Sequence, residues 1–145
     1  MNITCLKNHL IKALNLSLLQ AGKNQNIPIL QGGLIKTQKN QLLIETTNLE
    51  SALRVYLPVK TEKEGEIIAP IKTLSSLISN LKDEKIKLEK KENNLEILSQ
   101  NSKTLIKSYP LEEFPAFPKI KEGIEFKIRA QELVSGLKSV INSVS

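Results

Sequence analysis

The sequence predicts an α+β fold in which a β-α-β-β-β unit occurs twice and begins a third time. A strand-like run followed by an amphipathic helix appears at three places along the 145 residues. After the first two helices, two alternating segments repeat, with matching residues 53 positions apart. With 40% hydrophobic and 25% charged residues, the composition is that of a globular protein about one domain long.

The first helix is predicted by apolar residues that recur every four positions after a short strand-like run. These residues are Leu6, Leu10, Leu14 and Leu18. Asn8, Lys12 and Asn15 fall on another face of the same helix. We therefore expect the leucines to pack on a sheet.

Each of the first two helices is followed by two alternating strands around a turn. The turns are predicted at Lys39–Asn40 and at Asn93–Asn94, because Asn tolerates the positive φ that hairpins need. The residues that match between the hairpins are Ile35, Asn40, Leu42 and Ile44 with Leu88, Asn93, Leu95 and Ile97. A third strand follows each hairpin, at 52–58 and at 104–110, and each ends in Pro.

The second and third helices are predicted by the same helical spacing. The second helix has an apolar stripe of Leu74, Leu77, Ile78 and Leu81 and a polar stripe of Lys72, Ser75, Ser76 and Ser79. Pro70 suits its first turn, where a missing N–H costs nothing. The third helix follows a strand-like run from Ile124 and has an apolar face of Leu133, Leu137, Val140 and Val144. The Pro-rich connector before it carries Phe114 and Phe117, which we expect to lie pinned on a surface.

Two such units can pair into one domain with both helices on one side and the strands on the other. The apolar stripes would pack on the sheets, and the polar, lysine-bearing stripes would line one surface together. A lone strand and helix cannot bury their own apolar face. The third copy therefore belongs to a longer chain or docks on a partner.

The charged and reactive residues favour binding over catalysis. The 21 basic and 15 acidic side chains give a net charge of +6, which favours a polyanionic partner, although an AT-rich genome would give the same bias. Cys5, His9 and Asp83 are the single residues of their types. One Cys excludes an internal disulfide and a Cys-rich zinc site, and one Asp is poor material for a two-metal site. We expect no catalytic site, metal or cofactor. The alternative is an enzyme whose active site contains few acidic residues.

Other single features indicate structural roles. His9 is interpreted as a structural residue of the first helix, and Cys5 as a small buried hydrophobe. The lysine run at 85–91 alternates with glutamates, which indicates a mixed-charge outer sheet face. No run approaches the roughly 18 apolar residues of a membrane span. A single free Cys fits a reducing, cytoplasmic setting.

Five segments, in this order and spacing, resemble the bacterial DNA polymerase III beta subunit family, the replication sliding clamps. They are His9–Leu10, IPILQGGLI at 27–35, TTNLESALRV at 46–55, APIKTL at 69–74 and YPLEEFPAFP at 109–118. Asn48 stands where the family usually has Asp, and Tyr109 where Leu is common. Neither departure changes the turn chemistry, because Asn and Asp both suit turns.

The resemblance implies a DNA-clamp fold of three similar domains per subunit, with two subunits in a ring around duplex DNA. Helices would lie inside the ring and antiparallel sheets outside. Residues 1–122 would form the first domain and residues 123–145 the opening strand and helix of the second. The implied function is that of a non-catalytic processivity factor that tethers the replicative polymerase. Polymerase and clamp loader would bind through regions outside this chain.

A truncated clamp paralogue that binds a protein through an exposed edge strand is the alternative function. It would use the same fold without closing a ring, because two such chains supply too few domains. An unpaired edge strand is a ready site for pairing with another chain. The sequence alone leaves both functions open.

The resemblance also assigns candidate site residues. The residues expected to face DNA are Lys7, Lys12, Lys23, Asn24, Lys72, Arg129 and Lys138. Lys23 lies beside Asn24, the position where relatives carry a DNA-contacting Arg, and we expect Lys23 to take over that contact. The residues expected where two subunits meet are Thr73, Leu77, Thr104 and Ile106. For Leu77 and Ile106 a core position is the alternative.

Overall fold

The computed structural model describes residues 1–21, 27–117, 123–124 and 126–141. In these ranges the chain forms two antiparallel sheets and three α-helices, which confirms the predicted α+β class. The strands are β1 Asn2–Leu6, β2 Gly32–Gln38, β3 Gln41–Thr47, β4 Ala52–Pro58, β5 Lys60–Lys63, β6 Gly65–Pro70, β7 Lys85–Lys91, β8 Asn94–Leu98 and β9 Lys103–Lys107. The helices are α1 Lys7–Leu18, α2 Ile71–Asn80 and α3 Ala130–Ile141.

The two repeated units exchange their first strands. The five-stranded sheet has the order β5-β1-β7-β8-β9, so β1 of the first unit lies beside the hairpin of the second. The four-stranded sheet has the order β4-β3-β2-β6, so β6 of the second unit lies beside the hairpin of the first. Ile3 is opposite Leu88, and Ile67 is opposite Ile35. Each sheet is therefore built from both units.

The first hairpin has the predicted register and turn. Ile35 is opposite Ile44, and neither side chain is exposed to solvent. Lys39 and Asn40 connect the strands with φ of 47° and 60°. Positive φ at both central residues matches the right-handed twist of the flanking strands.

The second hairpin has the predicted strands but a turn one residue earlier. Lys91 is opposite Asn94, so the turn residues are Glu92–Asn93 and the predicted Asn93–Asn94 is wrong. The 53-residue repeat explains the position, because Glu92 and Asn93 correspond to Lys39 and Asn40. Glu92 accordingly has a φ of 52°.

Helices α1 and α2 lie side by side over the core that the two sheets share. The fully buried residues of their apolar stripes are Leu10, Leu14, Leu74 and Ile78. The Ser75 hydroxyl donates a hydrogen bond to the Asn15 side-chain oxygen at 3.1 Å. Ser75, expected on the polar stripe, is therefore buried, because α2 is covered by α1 as well as by the core.

Both helices begin after the residue that was expected to open them. Leu6 ends β1 and precedes α1, and it is 44% exposed instead of lying in the apolar stripe. Strand alternation causes this, since Ile3 and Cys5 point into the core and Leu6 points outwards. Pro70 ends β6 with extended backbone angles and precedes α2, so it does not occupy the first helical turn.

Strand β5 was not predicted. It pairs with β1, where Thr61 lies opposite Ile3. Its sequence KTEK has no apolar alternation, because the strand is an edge of the sheet and three of its four residues are exposed. Charged edge strands of this kind give no periodic signal in a sequence.

The third copy forms its helix but not its strand within the described residues. Residues 123–124 and 126–129 have no regular secondary structure, so the predicted strand is wrong for this part. A strand needs a neighbour for its backbone hydrogen bonds, and none of the described strands pairs with this segment. In α3, Leu133, Leu137 and Val140 are about half exposed, and Val144 lies outside the described residues.

Candidate nucleic-acid interface

The surface of α1 and α2 that points away from the sheets is polar, basic and free of acids. Neither helix contains Asp or Glu. We call the exposed residues of α1 and α2 the helix face: Asn8, His9, Lys12, Asn15, Leu16, Lys72, Thr73, Ser76, Ser79 and Asn80. Lysines and small polar donors suit phosphate oxygens, which carry no sequence information. The acids nearest to this face are Asp83 and Glu84, which follow α2 and line a recess with Asn8 and His9.

Lys12 and Lys72 are the cations of the helix face. Both side chains are exposed, one on α1 and one on α2. Neither forms an ion pair with an acid in the described part of the chain. Both ammonium groups are therefore available to an external anion.

Lys7 has a different environment. Its ammonium donates a hydrogen bond to the carbonyl oxygen of Leu81, the residue that caps the end of α2. Its backbone N–H donates to the Glu84 carbonyl at 2.7 Å. A cation at a helix C-terminus satisfies an orphan carbonyl and complements the helix dipole. Lys7 thus ties the start of α1 to the end of α2.

The remaining candidate cations lie elsewhere. Arg129 forms an ion pair with Glu132 at 3.1 Å, and Lys138 is exposed on α3. Lys23 and Asn24 lie outside the described residues. The structure therefore brings only Lys12 and Lys72 together on one described surface.

Several charges on the outer faces of the sheets form ion pairs. Lys36 is 3.1 Å from Glu66, and Lys87 is 3.2 Å from Glu62. Oε1 of Glu96, a residue that is only 4% exposed, lies 2.9 Å from Nζ of Lys103. These pairs confirm the mixed-charge outer face. The pairing is incomplete, because the strands carry ten basic and five acidic residues, so the sheets differ from the helix face in having acids and not in lacking unpaired lysines.

Among the described strands, β9 is an edge of the five-stranded sheet, and it carries two of the expected interface residues. Thr104 is half-buried, whereas Ile106 is only 6% exposed and belongs to the core. On α2, Thr73 is exposed, and Leu77 is half-buried against the core. Ile106 therefore fits the alternative that it is a core residue. Leu105, which was not expected at the edge, is 56% exposed. Strand alternation from the buried Ile106 could have identified it.

The reactive residues occupy ordinary structural surroundings. Burial raises the pKa of the Cys5 thiol to about 12, so the thiol stays protonated at neutral pH. His9 is exposed on the first turn of α1.

Across the described ranges, no three His, Cys, Asp or Glu side chains are grouped to hold a metal ion. None of the described helices is long and apolar enough to cross a membrane.

Two sheets with exchanged first strands and two acid-free helices on one side define a DNA-clamp domain. The family model described as "DNA polymerase III beta subunit, N-terminal domain" matches residues 1–118. The chain belongs to this family.

Known relatives and solved structures agree with this assignment. The chain is 31% identical over 103 residues to a beta sliding clamp of Helicobacter pylori strain J99, covering 70% of this chain and 28% of the relative. It is 27% identical over 124 residues to a beta sliding clamp of Chlamydia pneumoniae, covering 85% and 34%. The Helicobacter pylori beta clamp solved with a DNA ligase peptide superposes with a TM-score of 0.93 at 27% identity, covering 100% of this chain and 41% of that one. The chain thus spans about a third of the length of the curated relatives it matches.

Proposed function

We propose that this chain is the first part of a sliding clamp, a processivity factor that encircles duplex DNA and tethers the replicative DNA polymerase. The observation that carries the proposal is the helix face, on which Lys12 and Lys72 are exposed and unpaired within the described residues and no acid is present. A cationic surface of this kind attracts phosphates without reading bases. The chain itself does no chemistry in this proposal, and it works in the cytoplasm.

Encirclement replaces tight binding in this mechanism. A closed ring leaves DNA only by opening or by sliding off an end, so weak contacts with phosphates suffice. Weak, non-specific contacts also permit sliding, because every position along the duplex offers the same phosphates. The two lysines therefore need only keep the DNA near the helix face.

The proposal extends to assembly. Residues 1–122 form the first domain, and residues 123–145 open the second. A second subunit joins along β9, which has no second neighbouring strand among those described. Thr73, Leu77 and Thr104 lie at this contact, and the expected interface residue Ile106 supports the strand from the core side. Arg129 and Lys138 contact DNA from the second domain, and Lys23 with Asn24 from the first. Polymerase and clamp loader bind regions beyond this chain.

The second candidate function is a protein-binding module that uses the β9 edge. The exposed Leu105 on this edge strand supports it, because an apolar edge invites strand addition. The two functions differ in their dependence on the helix face. A protein-binding module would be insensitive to the charge of Lys12 and Lys72.

The test is charge reversal in the complete subunit. The double variant Lys12→Glu, Lys72→Glu should weaken DNA association at low salt while the circular dichroism spectrum stays unchanged. The slope of log K against log salt should become shallower by about 0.9 for each phosphate that the variant no longer neutralises.

A matched control separates this effect from net charge. Lys60→Glu with Lys63→Glu makes the same change in net charge at two exposed positions of β5, outside the helix face and at the sheet edge opposite β9. We expect DNA association of the control to stay close to that of the parent protein. Equal weakening in both double variants would show that the helix face has no special part in DNA binding.

A further inference from the structure

Residues 109–117, which we call the strap, cross the outer face of the four-stranded sheet from one edge to the other. The residues aligned across the sheet beneath the strap are Ile68, Leu34, Glu45 and Arg54, one on each of β6, β2, β3 and β4. The strap meets β6 at its first residue and reaches Arg54 of β4 at its last. It therefore runs across the strands and not along them.

The first end of the strap is held at Tyr109. Its backbone N–H donates to the Ile68 carbonyl at 3.0 Å. Its ring lies over Gly32, where an added Cβ would be 3.0 Å from the ring and 2.8 Å from the Ile68 side chain. The absence of a side chain at Gly32 lets the ring approach the sheet.

The second end is held at Phe117. The Arg54 guanidinium lies over the Phe117 ring, 5.0 Å from its centroid. The Phe114 ring stacks on Phe117, with centroids 6.4 Å apart and an angle of 18° between the planes. A guanidinium over an aromatic face is attracted by the quadrupole of the ring. These contacts also confirm that the connector phenylalanines lie on a surface.

Arg54 is itself held in place by a carboxylate. Its Nε lies 2.5 Å from Glu45 Oε1, and Glu45 is only 8% exposed. A buried carboxylate strongly requires its cation, because an unpaired buried charge is costly. The pair therefore fixes the plane of the guanidinium on which Phe117 rests.

Between the two ends the strap is not closely packed on the sheet. A space of about 250 Å³ lies under it, lined by Leu34, Glu66 and Leu111 together with residues of the second end. Detachment of the second end would release Phe117 from the sheet.

We infer that Arg54 is a positioning residue that fixes Phe117 and thereby sets the place, at the β4 edge, where the chain leaves the two-sheet domain. The inference goes beyond the proposed function and does not depend on DNA. The contacts follow one another in series. The Glu45 carboxylate positions the Arg54 guanidinium, the guanidinium contacts the Phe117 ring, and Phe117 keeps the end of the strap on the sheet. In a multi-domain protein this anchor would set where the next domain begins.

Limited proteolysis of the 145-residue chain tests this inference. A glutamate-specific protease cleaves after Glu112 and Glu113, which lie exposed in the middle of the strap. Arg54→Ala should make this cleavage about fivefold faster, since removing one cation–π interaction raises the detached population by that order. Arg54→Lys keeps a charge beside Glu45 without the planar guanidinium, so its cleavage rate should lie between those of the parent chain and Arg54→Ala. Lys87→Ala, which breaks an ion pair on the other sheet, is the control and should leave the rate unchanged.

A spectroscopic readout separates positioning from general stability. The chain has no Trp, so Phe117→Trp places a single tryptophan at the anchor, which can be excited selectively over the two tyrosines. Adding Arg54→Ala should shift its emission to longer wavelength and increase acrylamide quenching severalfold, with an unchanged circular dichroism spectrum.

If Arg54→Ala prevents folding, Phe117→Ala releases the same end while the Glu45–Arg54 pair stays intact. It should accelerate cleavage after Glu112 and Glu113 to a similar extent. Unchanged cleavage in the folded variants, or unchanged emission of the fluorophore at position 117, would overturn the inference.

Discussion

At the residue scale, the surroundings of each lysine distinguish the cations available to DNA from those already engaged. Lys7 and Lys12 lie on the same helix, yet the Lys7 ammonium bonds to Leu81 and the Lys12 side chain is exposed. The polar stripe identified Lys12 correctly as a solvent-facing residue. It could not predict the engagement of Lys7, because the partner carbonyl lies 74 residues away in sequence.

Gly33 provides a test of core packing. A Cβ there would lie 2.5 Å from Cδ1 of Ile71, whose side chain is fully buried. We expect Gly33→Ala to lower the free energy of unfolding by about 1–3 kcal/mol through overpacking. Gly136→Ala is the matched control, since nothing lies within 4 Å of its added methyl group. Denaturant titration compares the two, and an equal effect would contradict the packing of Gly33 under Ile71.

Cys5 provides a test of burial. Its pKa is raised from 9.0 to about 12 by desolvation, so at pH 8 the folded chain should hold about a thousandfold less thiolate than the unfolded chain. Alkylation at pH 8 should be correspondingly slow until denaturant is added. The raised pKa contributes stability that is complete below pH 9 and is lost as the pH rises towards 12. Rapid native alkylation at pH 8 would show that the thiol is accessible.

At the element scale, local patterns predict which residues form a strand or helix and which face they bury. The Ile and Leu alternation predicts both hairpins, and the spacing of leucines predicts α1 and α2. Patterns do not predict which strands become neighbours, so the exchange of β1 and β6 could not be predicted. Sequence patterns also do not predict charged edge strands such as Lys60–Lys63, because these strands bury no regular face.

The strand exchange predicts that neither unit folds alone. Peptide 1–63 contains the β2–β3 hairpin but lacks β6, which pairs with β2. Peptide 64–117 contains the β7–β8 hairpin but lacks β1, which pairs with β7. Each should be unfolded by circular dichroism, and an equimolar mixture should regain sheet and helix signal. A folded spectrum for either peptide alone would contradict the exchanged arrangement.

At the scale of the whole molecule, the net charge of +6 is shared between the sheets and the helices. The strands carry ten basic and five acidic residues, several of them in ion pairs, whereas the helix face carries two unpaired lysines and no acid among the described residues. The sequence could predict a basic helix surface, since helical spacing separates the polar stripes from the core. It could not locate the expected contacts of Lys23 and Asn24, which lie outside the described part.

The central proposal is that the complete subunit holds DNA by encircling it. The most direct measurement loads the subunit on circular DNA with its clamp loader and follows retention before and after a single cut in the DNA. A closed ring should remain on the intact circle and run off the cut ends. Equal retention on the circular and the linearised DNA would contradict encirclement.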